Sequence, residues 1–159
     1  MSNDEHSILH EIRQAQPFST PAQEATVALM RTADVVRRRI AATMEPFGIT
    51  TQQYNVLRIL RGAGEGGLPT LEIAQRMIEE APGITRLLDR IEKKGWVKRR
   101  RCAEDRRQVL VSITPEGLAL LAAMDEAVLA ADNGALGSIS DADLRVLMRV
   151  MDRIRNPPA

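Results

Sequence analysis

A chain of 159 residues, 44% of them apolar and 27% charged, is long enough for one folding unit with a real core and too short for two domains of ordinary size. Aromatic residues make up only 3%, a composition that suits packed helices better than a β-sandwich. The single cysteine, Cys102, excludes an internal disulfide framework and leaves too few thiols for a structural zinc site. With no signal-peptide core and no apolar run near the ~18 residues of a membrane span, a cytoplasmic protein without a membrane partner is expected.

In chain order, Ile8, Leu9 and Ile12 stand at helical spacing before Pro17 and suggest a short docking arm. From Ala22 to Met44 the residues Ala25, Leu29, Ala33, Val36, Ile40 and Met44 recur every three or four positions, which predicts a long helix whose other face carries Arg37, Arg38 and Arg39. "EPFGIT" stops it. "TTQQYNVLRILRG" then starts the next helix with Thr50 as N-cap and Gln53 three residues on, a reciprocal capping pair. The glycines at 62, 64, 66 and 67 are expected to end it. "PTLEIAQRM" predicts a short helix capped by Thr70, with Leu71, Ala74 and Met77 offered to the core. "APGITRLLDRIEKKG" predicts a second, with Pro82 in its first turn, Ile84, Leu87, Leu88 and Ile91 as its buried stripe, and Gly95 as a left-handed stop. Two short helices joined by a tight turn make a helix-turn-helix.

"WVKRRR" and "QVLVSI" are the only good strand candidates, joined by the polar turn "CAEDRR", so a hairpin carrying Asp105, Arg106 and Arg107 at its tip is expected. Thr114 and Pro115 open a long helix, and Ser140 caps a last one whose stripe is Leu144, Leu147, Met148, Met151 and Ile154. The expected fold is mainly α: a winged helix-turn-helix with a two-stranded wing, and long terminal helices forming a dimerisation region. Residues 49–114 would be the winged unit; residues 1–48 and 115–159 would be the dimerisation region.

Charge singles out the functional part. Lys93 to Arg107 holds eight Lys or Arg against Glu104 and Asp105, a net of +6 in a chain whose total is +1. Duplex DNA carries one negative charge per ~1.7 Å of axis, and cations that neutralise phosphates release condensed counterions, a gain that needs no sequence match. Arginines at a hairpin tip can reach a narrow minor groove. The neighbouring helix can enter the major groove and offer Thr85 and Arg86 to base edges.

"PGITRLLDRIEKKGWVKRRRCAEDRRQVLVSITPEG" resembles the recognition helix and wing of the MarR family of bacterial transcription regulators, including its Asp-x-Arg wing tip (Asp105, Arg107) and the Ile113–Thr114 pair opening the next helix. "GITTQQYNVLRIL" is similar to the family's helix leading into the DNA-binding region. The resemblance runs roughly from Ala22 to Arg155. It implies a homodimer with interlocked terminal helices that binds a pseudo-palindromic operator, a repressor that a small-molecule effector releases by changing the spacing of the two lobes. It further implies Arg107 as a minor-groove arginine with Asp105 positioning it, Pro82, Gly83, Thr85 and Arg86 as recognition-helix contacts, and Thr70, Lys98, Arg99, Arg100 and Arg101 near phosphates. Arg90 and Arg106 complete the expected DNA-binding set. Many relatives carry Ser or Thr where Gly83 stands, so only backbone approach is available there.

Blander roles stand beside these. A Lys/Arg cluster is often only a solvated surface, and Asp105 could be a turn ion pair. Cys102 beside Arg101 admits a thiol-switched repressor, and winged helices also serve as protein-interaction adaptors. His6 and His10 share the i, i+4 spacing of metal ligands, but nothing completes a site, so no metal is expected. Met44, Phe47, Tyr54 and Trp96 could line a ligand pocket or simply belong to the core, and no ligand-binding residue is assigned. No phosphate-cradling glycine motif or nucleophile elbow is present, so neither an enzyme nor a cofactor is expected.

Overall fold

The computed structural model describes residues 7–102 and 108–157. Two compact units meet at the Arg39–Ile40 bond. The first contains α1 (Ile8–Glu11) and most of α2 (Pro21–Met44). Ser7 caps α1 by accepting from the His10 amide, and Arg31 pairs with Glu11 at 3.5 Å. On α2, Asp34 accepts from Arg37 and pairs with Arg38 at 3.0 Å. The Arg37 hydrogen bond is the main cause that holds the Asp34 carboxyl below its ordinary value. The Leu29 and Met30 side chains of this helix are exposed.

The second unit runs through α3 (Thr51–Ala63), β1 (Leu68–Pro69), α4 (Thr70–Arg76), α5 (Ile84–Lys93), β2 (Val97–Arg101), β3 (Val109–Ile113), α6 (Pro115–Leu136) and α7 (Asp141–Arg155). Short 3-10 turns at Glu45–Phe47 and Gly64–Gly66 flank α3. Its core is aliphatic. Val56, Leu57 and Leu60 from α3 meet Ile73 from α4, Leu88 and Ile91 from α5, Val111 from β3 and Leu121 and Met124 from α6, all fully buried. Each such side chain contributes roughly 1.5–3 kcal/mol by leaving water, so the helix-turn-helix, the hairpin and the start of α6 share one core.

Local signals place the element ends. Thr50 and Gln53 form the full capping box, Thr114 accepts from the Gly117 amide, and Ser140 accepts from the Asp143 amide. Gly95, at φ 78°, turns the chain out of α5 as its amide donates to Glu92 O at 2.8 Å; a side chain would be strained there.

Four expectations need correction. Thr70 is the first helical residue of α4 rather than its cap. Pro69 holds the cap position because it is paired in β1 with Leu110 of β3, and no side chain caps this helix. Ile73, not Leu71, is the core residue of α4: Ile73 is fully buried and Leu71 is 71% exposed. Pro82 precedes α5. It occupies the second position of a turn closed by the Ile84 amide on Ala81 O at 3.0 Å, where its fixed φ is favourable, and the first helical bond is Leu87 to Gly83. Gly62 lies within α3 and does not end it. The sheet also has a third strand, in the order β1-β3-β2, which sequence patterning missed. A two-residue strand holding a proline shows no alternation, and β1 sits at an edge, where the missing amide is tolerated.

Beyond Met124 the terminal helices bury little. α7 has no buried residue, and Val146, Leu147, Met148, Val150 and Ile154 are exposed in a single chain. No helix among the described residues is long and apolar enough to cross a membrane.

Candidate nucleic-acid interface

The turn between α4 and α5 is held from below. Asn55, buried in the middle of α3, accepts the Ile78 amide at 2.9 Å. That bond satisfies a donor which the break in helical structure after Arg76 leaves free. With the turn fixed and Leu87, Leu88 and Ile91 in the core, α5 is locked in rotation, and Thr85, Arg86, Asp89, Arg90 and Lys93 are exposed on its outer side. Pro82 and Gly83 are exposed just ahead of the helix, while Thr70 is half-buried at the start of α4.

The hairpin is tied to this helix at its base. Val97 pairs with Ile113 and the register runs to Arg101 opposite Val109, with the Cys102 amide donating to Gln108 O at 2.9 Å. Strand alternation puts Val97 and Arg99 on one face. Val97 enters the core, and Arg99 turns to α5. The Arg99 amide donates to Glu92 Oε1 at 3.0 Å, and its Nη1 lies 2.7 Å from both Glu92 Oε2 and Asp89 Oδ1. Its Nη2 also donates to Thr85 O at 3.4 Å. Arg100 Nη2 donates to Gly66 O at 2.9 Å. Lys98 and Arg101 are exposed and form no ion pair among the described residues. Asp105, Arg106 and Arg107, the expected wing tip, lie outside the described residues.

The candidate set therefore divides. Thr85, Arg86 and Arg90 are exposed on the outer side of α5, and Lys98 and Arg101 are exposed on β2, the strand bonded to that helix, with alternation placing the two on opposite faces of the strand; Arg99 faces α5 and Arg100 is bonded across the sheet. Sequence reading missed Asn55 and the Asp89–Glu92 pair as partners. Asn55 left one trace, a polar residue between Tyr54 and Val56 in the most buried stretch of its helix; the acidic pair left none, since its partner stands on another element. Of the four residues weighed as pocket or core, Met44 and Tyr54 are core, and Phe47 and Trp96 pack half-buried against it. Lys94 Nζ sits 4.4 Å from the centre of the Trp96 ring and donates to Gly48 O at 2.8 Å. Cys102 is a free, half-buried thiol.

The profile of the MarR family matches residues 49–109, the span from just before α3 to the start of β3. A crystal structure of a MarR transcription factor from Planctomyces limnophilus is 39% identical, with 86% of this chain and 98% of that one aligned at a TM-score of 0.66. The chain belongs to the MarR family. Its kinship is with transcription factors, a non-enzymatic class, in keeping with the lack of catalytic motifs in the sequence. Two more distant MarR-like structures share the fold. The MepR–DNA complex of S. aureus is 19% identical, covering 84% of this chain and 97% of that one at a TM-score of 0.75. CouR of Rhodococcus jostii RHA1 bound to p-coumaroyl-CoA is 24% identical, covering 89% and 99%, also at 0.75. The chain spans between 52% and 63% of the length of four curated relatives that it matches.

Proposed function

We propose that this MarR-family chain is a cytoplasmic, homodimeric, sequence-specific DNA-binding regulator that acts as a repressor and is released by a small-molecule effector. The observation that carries the reading is the tie between α5 and the β2–β3 hairpin, where the Arg99 amide donates to Glu92 Oε1, with Thr85, Arg86 and Arg90 exposed on the helix and Lys98 and Arg101 exposed on the strand. On this reading α5 enters the major groove, Thr85 and Arg86 meet base edges, and Lys98, Arg101 and Thr70 lie along phosphates. Asp105, Arg106 and Arg107 are assigned to the minor groove. Residues 49–114 read the DNA, and residues 1–48 and 115–159 join the two subunits.

Two relatives support parts of this proposal. MepR was crystallised with DNA, and CouR with an acyl-CoA. The apolar row Leu147, Met148 and Ile154 on α7, exposed in one chain, supplies a surface for a second copy. A repressor dimer places two recognition helices about one helical turn apart, so an effector that prefers a different lobe spacing weakens operator binding.

Titrating a labelled duplex pool with the full chain at increasing salt tests the reading. Affinity falls steeply with salt, and Lys98→Ala lowers the slope of log K against log salt by ~0.9. Arg107→Ala weakens specific binding by ~1–3 kcal/mol. Binding of a protein partner with no need for duplex DNA would favour the adaptor role instead.

A further inference from the structure

We infer that Arg99 is a positioning residue for DNA binding, a clamp between the hairpin and the recognition helix, rather than one of the phosphate contacts among which its basic neighbours Lys98 and Arg101 stand. This deepens the proposed function and rests on it. Phosphate binding favours a guanidinium whose charge is uncancelled, and the Arg99 charge is already met by two carboxylates. One nitrogen lies 2.7 Å from two carboxylates, Asp89 and Glu92, and the other donates to the Thr85 carbonyl. The Arg99 side chain is 24% exposed, less than either acidic partner. A phosphate would have to displace two anions already at contact distance.

The geometry favours a mechanical role. Glu92 is gripped twice, by the amide of Arg99 on one oxygen and its guanidinium on the other. Sliding or tilting β2 against α5 breaks both bonds together. The guanidinium also bonds the Thr85 carbonyl, so one side chain gathers groups from the first and the last turn of α5. It thereby fixes the angle between the element that reads bases and the strand that leads to the wing. The same contact cancels two carboxylates on α5, the element proposed to enter the groove.

Plain charge counting and the clamp predict opposite signs for one variant. Glu92→Ala removes a negative charge beside the DNA-facing surface, which by charge alone tightens duplex binding; the clamp predicts roughly fivefold weaker binding, the scale of one lost hydrogen bond. Arg99→Lys supplies the second arm. A phosphate contact survives it with near-native affinity because the charge is kept, whereas an ammonium offers one nitrogen in place of the two that Arg99 sets against the carboxylates and the Thr85 carbonyl, so the clamp predicts a weaker complex. Both affinities are measured by anisotropy on one duplex, well below each variant's unfolding midpoint, which separates positioning from mere stability. Weaker binding by both variants supports the clamp. Tighter or unchanged binding by Glu92→Ala, or native affinity for Arg99→Lys, overturns it. Failure of the unaltered chain to bind any duplex is a distinct result, which removes the DNA-binding reading itself.

Discussion

At the scale of single residues, the proposed interface depends on groups that lie beneath it. Asn55 is the clearest. Its carboxamide oxygen meets the Ile78 amide where α4 has ended and α5 has not begun, so the turn is tethered to the helix beneath it. Replacing it with Ala leaves that amide without its partner, and the expected loss is ~1–2 kcal/mol of stability, read as a lower urea midpoint together with faster hydrogen exchange at Ile78. Tyr54, next in sequence, makes a pH-dependent contribution. Burial is the main cause that lifts its phenol above the ordinary 10.0, with Arg58 and Arg61 pulling the other way. The folded state therefore keeps the proton that the unfolded chain releases near pH 10. Stability from this residue is complete below that pH and is lost as pH rises through the folded value. Tyr54→Phe should flatten the decline in unfolding midpoint above about pH 9 relative to the unaltered chain. An identical decline in both would mean the phenol is not protected.

At the scale of elements, what could be read in advance was whatever a single element encodes by itself. Thr50 with Gln53, Thr114 with Pro115 and Ser140 announced three helix starts, because a cap and the amides it satisfies lie within three residues. Leu87, Leu88 and Ile91 announced the buried face of α5 because they recur with its period. The seven residues of α4 were too few for this. Two turns accommodate Leu71 with Ala74 or Ile73 with Met77 equally well, and only packing against α3 and α5 selects Ile73. The two-residue β1 and the partners of Arg99 were beyond sequence patterning for the same reason, since each is defined by an element distant in the chain.

One joint between elements was also hidden. Thr114 donates its hydroxyl to Gly95 O at 2.7 Å and its amide to Trp96 O at 3.0 Å, which brings the first turn of α6 onto the base of the hairpin. A Cβ at Gly117 would stand 2.3 Å from Trp96 O. Gly117→Ala therefore forces α6 and β2 apart, with an expected cost of ~1–3 kcal/mol, the range for overpacking a close contact. Thermal unfolding checks it; an unchanged midpoint would mean that α6 is not seated on the hairpin as described.

At the scale of the whole molecule, charge and apolar surface are segregated. The basic excess lies between Lys93 and Arg107 in a chain of total charge +1, and the exposed aliphatic residues of α7 lie outside it. On the proposed function, the first serves the duplex and the second joins two copies of the chain. The central claim is that α5 and the hairpin form a single duplex-reading surface. Selecting bound duplexes from a random pool with the full chain, and again with Arg86→Ala, tests it most directly. The expected result is an enriched pseudo-palindrome with half-sites about one helical turn apart, and a changed base preference within each half-site for the variant. A bound pool indistinguishable from the input, or the same consensus from both proteins, would contradict it.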